Sequence, residues 1–201
     1  MDERAQGRQV LAHGEVEATA VHRFFPLRVG YVWTYAERVT TPAEEVLLER
    51  RVTFTVERDH RGEYQAFWDF QSGHTPLPNV RYRLVADGVQ EAHLMGNTSY
   101  TGFVYLLKAP LQVGTAWTGL LGAAVRITAV AFTWQVPAGR FSPCVATLQE
   151  EEPTPEDRLE TTRHFAFDVG LVWQQRRLFR GTALRRIDTM TLQKLPEPLR
   201  L

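Results

Sequence analysis

The sequence predicts an all-β protein: a strongly curved antiparallel sheet or an incomplete barrel, with an internal pseudo-repeat. Two observations carry this prediction. Short runs of alternating apolar and polar residues recur along the chain, and turn residues separate them at roughly 8 to 12 positions, as in sandwiches and barrels. The frame Val-Gly-x-x-Trp also occurs three times, at residues 29–33, 113–117 and 169–173. Together these patterns favour one sheet in which related segments are repeated.

The Val-Gly-x-x-Trp frame indicates how the sheet is built. Glycine tolerates a positive φ at little cost, so the copies predict turns at Gly30, Gly114 and Gly170. Each following tryptophan is expected to lie on a strand and to bury its indole in a shared interior. The first two copies match further, over residues 26–34 and 110–118. Because the copies are unequally spaced, a solenoid or propeller is disfavoured and two related halves are favoured.

The first half of the chain contains alternating strands separated by turns with glycine or proline. Residues 1–21 lack a clear period, so they predict a loose arm or a lead-in strand. Asp87-Gly88 is a strong signal for a two-residue hairpin turn. Residues 42–51 contain helix-forming side chains, but the segment is too short to form a stable helix alone. The predicted strands are residues 31–39, 46–59, 64–70, 80–86, 89–94 and 103–107.

The second half repeats this style with longer strands. Residues 137–140 predict a turn, and an acidic segment that contains Pro153 and Pro155 predicts a loop. The predicted boundaries divide the chain into an N-terminal arm (1–22), a single β domain (23–194) and a C-terminal tail (195–201). The predicted strands of this half are residues 125–136, 141–150, 159–167, 171–179 and 182–192.

Composition bounds the class of protein and its partners. The chain has 201 residues, of which 44% are apolar and 23% are charged, and its formal net charge is zero. No net field therefore draws it to nucleic acid, and no apolar run is long enough to span a membrane. Cys144 is the only cysteine, which excludes an internal disulfide. Residues 1–9 lack a signal core, which predicts an intracellular protein unless an export signal was removed, so the compartment stays open.

No motif predicts a catalytic, metal or cofactor site. The six histidines are not spaced as metal ligands. The serines lack the context of a nucleophile elbow, and no glycine-rich loop could hold a phosphate. Cys144 follows Pro143 and precedes apolar residues, so a buried and inert thiol is expected. The sequence therefore predicts no cofactor and no metal, and it favours a non-enzymatic protein over an enzyme.

Three phrases of the sequence resemble those of a group of bacterial proteins. They are residues 25–35 (FPLRVGYVWTY), residues 136–141 (VPAGRF) and residues 165–172 (FAFDVGLV). Their order is similar to that in proteins that are often exported or lipid-anchored, some of them called TapB-like. The fold of this group is similar to the curved, incompletely closed sheet of the LolA and LolB lipoprotein carriers. The resemblance covers roughly residues 24–192, implies that fold, and brings no catalytic residues with it.

Aromatic residues predict the leading function, which is to bind or carry an apolar or amphipathic, lipid-like ligand. They make up 11% of the chain, and a curved sheet of this size leaves room for a cleft lined by some of them. Arginines on one face of a sheet can also hold a carboxylate or phosphate bidentately. The predicted ligand-binding residues are Trp68, Phe70, Tyr82, Trp134 and Arg176.

Two other functions stay open at this point. An acidic block (residues 150–157) and a basic block (residues 176–186) could dock a protein partner, or the two blocks could pair with each other. A hydrolase-like enzyme would require His164 or His74 within hydrogen-bond reach of a carboxylate. Charged blocks and single histidines more commonly have a structural role in a folded protein.

Overall fold

The computed structural model of the protein describes residues 18–58, 63–69, 80–95 and 99–198. Within these ranges the chain forms thirteen strands in one sheet and two short 3₁₀ segments, Ala18–Phe24 and Leu120–Gly122. The strands are β1 (Tyr31–Thr40), β2 (Val46–Arg58), β3 (Tyr64–Asp69), β4 (Val80–Val85), β5 (Gly88–Met95), β6 (Ser99–Tyr100), β7 (Val104–Lys108), β8 (Ala116–Thr118), β9 (Ala124–Val136), β10 (Gly139–Thr154), β11 (Asp157–Ala166), β12 (Gly170–Arg180) and β13 (Ala183–Pro198).

The strands form a sheet that curls almost into a barrel. Their order is β6-β5-β4-β3-β2-β1-β13-β12-β11-β10-β9-β8, with β7 also paired to β5, and all pairings are antiparallel. One seam remains between β7 and β8. Across this seam the indole Nε1 of Trp117 donates a hydrogen bond to the carbonyl oxygen of Tyr105 (2.8 Å). The predicted all-β, curved and incompletely closed architecture is confirmed.

The first two copies of Val-Gly-x-x-Trp are equivalent in backbone geometry. Gly30 and Gly114 both have positive φ, +76° and +91°. The amide of Gly30 donates to the Val56 carbonyl (3.0 Å), and the amide of Gly114 donates to the Ile127 carbonyl (2.9 Å). In each copy the tryptophan three residues later is buried, with 2% of Trp33 and 9% of Trp117 exposed. The pseudo-repeat is therefore a shared way of starting a strand, and the predicted glycine turns are present.

The third copy departs from the predicted shared interior. Gly170 has a positive φ of +100°, as expected. However, the register between β11 and β12 shifts, so that Phe165 faces Leu171 while its neighbour His164 faces Trp173. A bulge of this kind moves the next side chain to the other face of the sheet. Trp173 therefore lies on the opposite face from Leu171, yet it is partly buried and packs against the same hydrophobic core as Trp33 and Trp117, so its predicted burial is met only in part.

The N-terminal 3₁₀ segment covers the end of the barrel at which β1, β5 and β12 begin. Val21 and Phe24 are fully buried there. His22 Nε2 lies 2.8 Å from the Val85 carbonyl oxygen and 3.1 Å from that of Gly88, at the turn between β4 and β5. On the other side, Arg23 forms an ion pair with Asp168, at the turn between β11 and β12. We call this end of the barrel the closed end.

Two observed boundaries lie beyond the predicted ones. Val21 and His22 fall in the predicted arm, yet they pack against the barrel. β13 continues to Pro198, whose partner in the sheet is Tyr31, so residues 195–198 of the predicted tail extend a strand. Pairing with β1 provides the hydrogen bonds that keep this polar, proline-containing segment extended.

Candidate ligand-binding cavity

The barrel encloses a half-open cavity of about 360 Å³. Strands from nearly the whole circumference contribute to its walls, because the alternation of each strand directs every second side chain inward. The part nearest the closed end is apolar. Its lining there consists of Phe25, Trp68, Tyr82, Leu106, Phe165 and Leu171.

Aromatic packing holds the apolar part of the cavity in shape. The ring of Trp68 lies 4.5 Å from that of Phe54 and 5.7 Å from that of Tyr35, measured between centroids. Tyr82 packs at 5.1 Å against Phe25, which follows the 3₁₀ segment. Burial, with a smaller effect from the charge of Glu91, raises the pKa of Tyr82 well above its usual value. Tyr82 is therefore a neutral phenol that contributes apolar surface.

The part of the cavity farther from the closed end is charged, and its acidic side chains have partners. Glu37 forms an ion pair with Arg50 from the neighbouring strand. Asp188 accepts two hydrogen bonds from Arg186, at 2.7 and 2.6 Å. These two carboxylates are therefore neutralised by groups of the protein itself.

Two more carboxylates line the cavity, and one of them, Glu91, lies opposite Tyr82 where β4 pairs with β5. Glu91 is buried and lies 3.1 Å from His93 Nε2, two residues further along β5. Although burial alone would raise the pKa of Glu91, His93 and Arg163 hold it below its usual value. Glu151 accepts a hydrogen bond of 2.6 Å from the side-chain amide of Gln149.

Two arginines on adjacent strands line the same cavity. Arg163 on β11 is half-buried, and it donates hydrogen bonds to Gln149 Oε1 (2.6 Å) and Gln174 Oε1 (3.0 Å). Arg176 on β12 is exposed at the outer part of the cavity and faces Thr161 and Asp188 in register. The pKa of Arg163 is lowered chiefly by burial and further by the charge of Arg176, while Glu91 and Glu151 oppose this change.

The structure brings three of the five predicted ligand-binding residues together. Trp68, Tyr82 and Arg176 all line the cavity. Phe70 lies outside the described residues. Trp134 does not line this cavity, and positive φ at Ala131 (+55°) and register shifts between β9 and β10 break the alternation of side chains along β9.

Trp134 lies instead in an aromatic cluster on the outer face of the sheet, which we call the outer cluster. It consists of Phe132, Trp134, His164 and Trp173, with the His164 ring 4.2 Å from Trp134, 4.6 Å from Trp173 and 5.1 Å from Phe132. Only 8% of His164 is exposed, and burial lowers its pKa to about 4. Its Nδ1 has no hydrogen-bond partner.

The hydrolase-like arrangement is not present around His164. Its neighbours are aromatic, and no carboxylate among the described residues lies within hydrogen-bond reach of its ring. His74, the other histidine considered, lies outside the described residues. Cys144 is buried as expected, and burial raises the pKa of its thiol to about 11, so it is a poor nucleophile.

Among the described residues, the acidic and basic blocks of the sequence meet where β11 begins and β12 ends. Asp157 pairs with Arg180 (3.1 Å), and Arg177 pairs with Glu160, which follows the acidic block. Glu150 pairs with Arg126 on β9. The predicted alternative in which the blocks pair with each other is therefore observed only for Asp157 and Arg180, because Glu160 lies outside the acidic block and Arg126 lies outside the basic block.

Several cavity residues were not predicted from the sequence. Arg163, Glu91 and His93 belong to this group, as do the two glutamines that hold Arg163. The alternation of side chains along β11 could have indicated Arg163, because it lies two residues before the buried Phe165 and therefore on the same face of the sheet. The partner strands, however, come from distant parts of the chain, and a single sequence does not reveal that pairing.

Within the ranges described, no group of three or more His, Cys, Asp or Glu side chains could hold a metal ion. Neither described 3₁₀ segment is long and apolar enough to cross a membrane.

Comparisons with known proteins give a fold-level likeness only. No protein-family model matches the chain, and no curated protein matches its sequence. A crystal structure of a "putative lipoprotein" from Parabacteroides distasonis ATCC 8503 is 12% identical, with a TM-score of 0.47, over 86% of this chain and 97% of that one. A crystal structure of a "putative exported protein with YmcC-like fold" from Bacteroides fragilis NCTC 9343 is 13% identical, with a TM-score of 0.48, over 87% of this chain and 98% of that one. Neither is described as TapB-like or as a LolA or LolB carrier, so that finer resemblance stays a prediction.

Proposed function

We propose that the protein is a non-enzymatic binding or carrier module that holds a small amphipathic ligand inside its barrel. The observation that carries this proposal is the half-open cavity, whose walls combine apolar side chains near the closed end with charged side chains. Its volume of about 360 Å³ lies within the range of small-molecule sites. Burial of an apolar ligand against the six apolar lining residues would supply the favourable free energy of binding.

The resemblance to the TapB-like group and to the LolA and LolB carriers agrees with such a role. It rests on short sequence phrases that shape strands and turns, notably Gly30 and Gly170 with their positive φ. The protein-interaction alternative lacks comparable support, because Glu150 and Asp157 of the acidic block already pair with arginines of the same chain.

The proposal predicts saturable binding of a neutral apolar probe. The dye N-phenylnaphthylamine carries no charge at neutral pH, and its fluorescence rises in an apolar site. Met190 lines the cavity and is 6% exposed. We expect Met190→Trp, which adds volume to the cavity wall, to weaken dye binding by about tenfold or more, because the ligand and the indole would compete for the same space.

The matched control places the same tryptophan on the same strand outside the cavity. Leu195 is 57% exposed on β13, and Leu195→Trp is expected to bind the dye as the unmodified protein does. Leu171→Phe fills the cavity from β12 and serves as a second test if Met190→Trp unfolds, which a thermal melt would reveal. Absence of saturable binding by the unmodified protein, or equal binding by all variants, would reject the proposed function.

A further inference from the structure

The two arginines of the cavity differ from the other arginines near it in what they contact. Arg50 and Arg186 are each paired with a cavity carboxylate. Arg163 contacts only neutral amide oxygens, and Glu91 and Glu151 attract it from a distance without pairing with it. The guanidinium group of Arg163 is therefore not paired with a carboxylate.

Among the described residues Arg176 has no hydrogen-bond or ion-pair partner, and the arrangement of its neighbours explains why. Its cross-strand neighbour on β13 is Asp188, the residue that would ordinarily neutralise it. Both carboxylate oxygens of Asp188 are already occupied by Arg186. Arg176 forms no hydrogen bond or ion pair with any residue in the part of the chain that the structure describes.

Arg163 is held in place rather than neutralised. The two glutamines lie on the strands on either side of β11, and each accepts one of its N–H groups. These bonds fix the orientation of the guanidinium plane while leaving other N–H donors of the fork unused. A fixed and partly desolvated guanidinium loses little entropy when it binds an anion, and this favours affinity.

Each carboxylate of the cavity already has a side-chain neighbour in the protein, although that of Glu151 is a neutral amide. Glu37 and Asp188 are paired with arginines, Glu91 lies beside His93, and Glu151 accepts from Gln149. A cationic head group would therefore have to displace an existing contact and approach two arginines. An anionic head group at the wall formed by β11 and β12 would instead relieve the repulsion between Arg163 and Arg176.

We infer that the ligand of the cavity is an amphiphile with a carboxylate or phosphate head group, which Arg163 and Arg176 bind while its apolar chain lies against Phe25, Phe165 and Leu171. This inference rests on the proposed function, because it names the chemical class of the ligand for the same cavity. It assigns Arg163 as the oriented donor and Arg176 as the exposed group that meets the ligand first.

The test compares four ligands with the same apolar chain: decanoate, decyl phosphate, decanol and decylamine. Binding to the full chain is measured by calorimetry at low salt, below the concentration at which each ligand forms micelles. We expect decanoate, decyl phosphate or both to bind at least about tenfold more tightly than decanol, and decylamine to bind most weakly. The member of the anionic pair that binds more tightly identifies the head group as carboxylate or phosphate.

Variants assign the preference to the cavity. Arg176→Gln is expected to reduce the ratio of anionic to neutral affinity by about fivefold to tenfold, while decanol binding is unchanged. Arg185→Gln is the matched control. Arg185 is exposed on β13 and lies outside the cavity lining, and its substitution removes the same positive charge. Arg163→Gln is expected to act in the same direction as Arg176→Gln, with a thermal melt to check folding.

The possible outcomes separate the two proposals. If decanol binds as tightly as the anionic ligands, or if Arg185→Gln lowers the ratio as much as Arg176→Gln does, the inferred head group is wrong while the proposed function survives. If no ligand with this chain binds, and the neutral dye does not bind either, the proposed function itself fails.

Discussion

At the scale of single residues, His164 is a titratable group in surroundings that disfavour its charged form. It lies in the outer cluster between Trp134 and Trp173, and no charged group of the described residues contacts its ring. The neutral imidazole packs as an aromatic ring, whereas the imidazolium would be a buried charge without a partner. Protonation is therefore tied to loss of this packing.

The lowered pKa of His164 predicts an acid-dependent loss of stability. In the folded protein the pKa is about 4, below the ordinary value of 6.5. Because the unfolded chain takes up the proton first, the contribution of neutral His164 is complete above pH 6.5 and declines as the pH falls from 6.5 to 4. The loss at low pH is about 3 kcal/mol. Urea unfolding at several pH values measures it.

His164→Phe supplies the comparison for this prediction. The substitution keeps an aromatic ring between Trp134 and Trp173 but removes the titrating group. Carboxylates such as Asp157 and Asp168, whose pKa values are lowered by arginine partners, titrate in both proteins and cancel in the difference. The difference in unfolding free energy between the two proteins should change between pH 6.5 and 4. A constant difference would show that His164 is not the responsible group.

At the scale of secondary-structure elements, the glycine that starts each repeated strand has a conformational role that can be separated from packing. A Cβ atom added at Gly30 or Gly114 would meet no atom within 4 Å, yet both residues have positive φ. Any cost of a side chain there therefore comes from the backbone conformation. At Gly170 a Cβ would also meet Pro26 and Trp33 at 3.6 Å.

We predict that Gly30→Ala and Gly114→Ala each lower the free energy of unfolding by about 1–2 kcal/mol. Gly102→Ala is the matched control, because Gly102 also has open space around its Cα but lies outside the positive-φ region. That variant should be neutral or slightly stabilising, since alanine restricts the unfolded chain. The measurement is chemical unfolding of the three variants side by side, and equal effects at all three glycines would contradict the backbone explanation.

The same elements show what could be predicted from the sequence and what could not. The Val-Gly-x-x-Trp frame correctly predicted positive φ at three glycines and burial of Trp33 and Trp117, because both depend on local chemistry. Trp173 is buried only in part and Trp134 does not line the cavity, and bulges in the pairing of their strands change which face a side chain occupies. A bulge depends on the pairing with another strand, so the period of one strand does not reveal it.

At the scale of the whole molecule, closure of the barrel depends on the seam between β7 and β8. Its one described side-chain hydrogen bond runs from Trp117 to the Tyr105 carbonyl. β8 has three residues and pairs only with β9. The seam is therefore the part of the wall with the least backbone pairing. The cavity could not be predicted from the sequence either, because Arg163 and Glu91 line the same cavity only when the sheet curls.

We predict that Trp117→Phe loosens the seam while the rest of the sheet stays intact. The substitution keeps an aromatic ring but leaves the Tyr105 carbonyl without its partner, a loss of about 1–2 kcal/mol. Amide hydrogen exchange followed by mass spectrometry should speed up in segments covering β7 and β8 and stay unchanged in β1 and β13, which are paired over most of their length. Uniformly faster exchange would indicate global destabilisation and contradict a local role.

The 3₁₀ segment at the closed end determines from which end a ligand can reach the cavity. Val21 and Phe24 are buried there and Arg23 is paired with Asp168, so the segment blocks this end of the cavity. The ligand that we propose would therefore enter and leave by the opposite end, with its apolar chain entering first. Its head group would then lie beside the exposed Arg176.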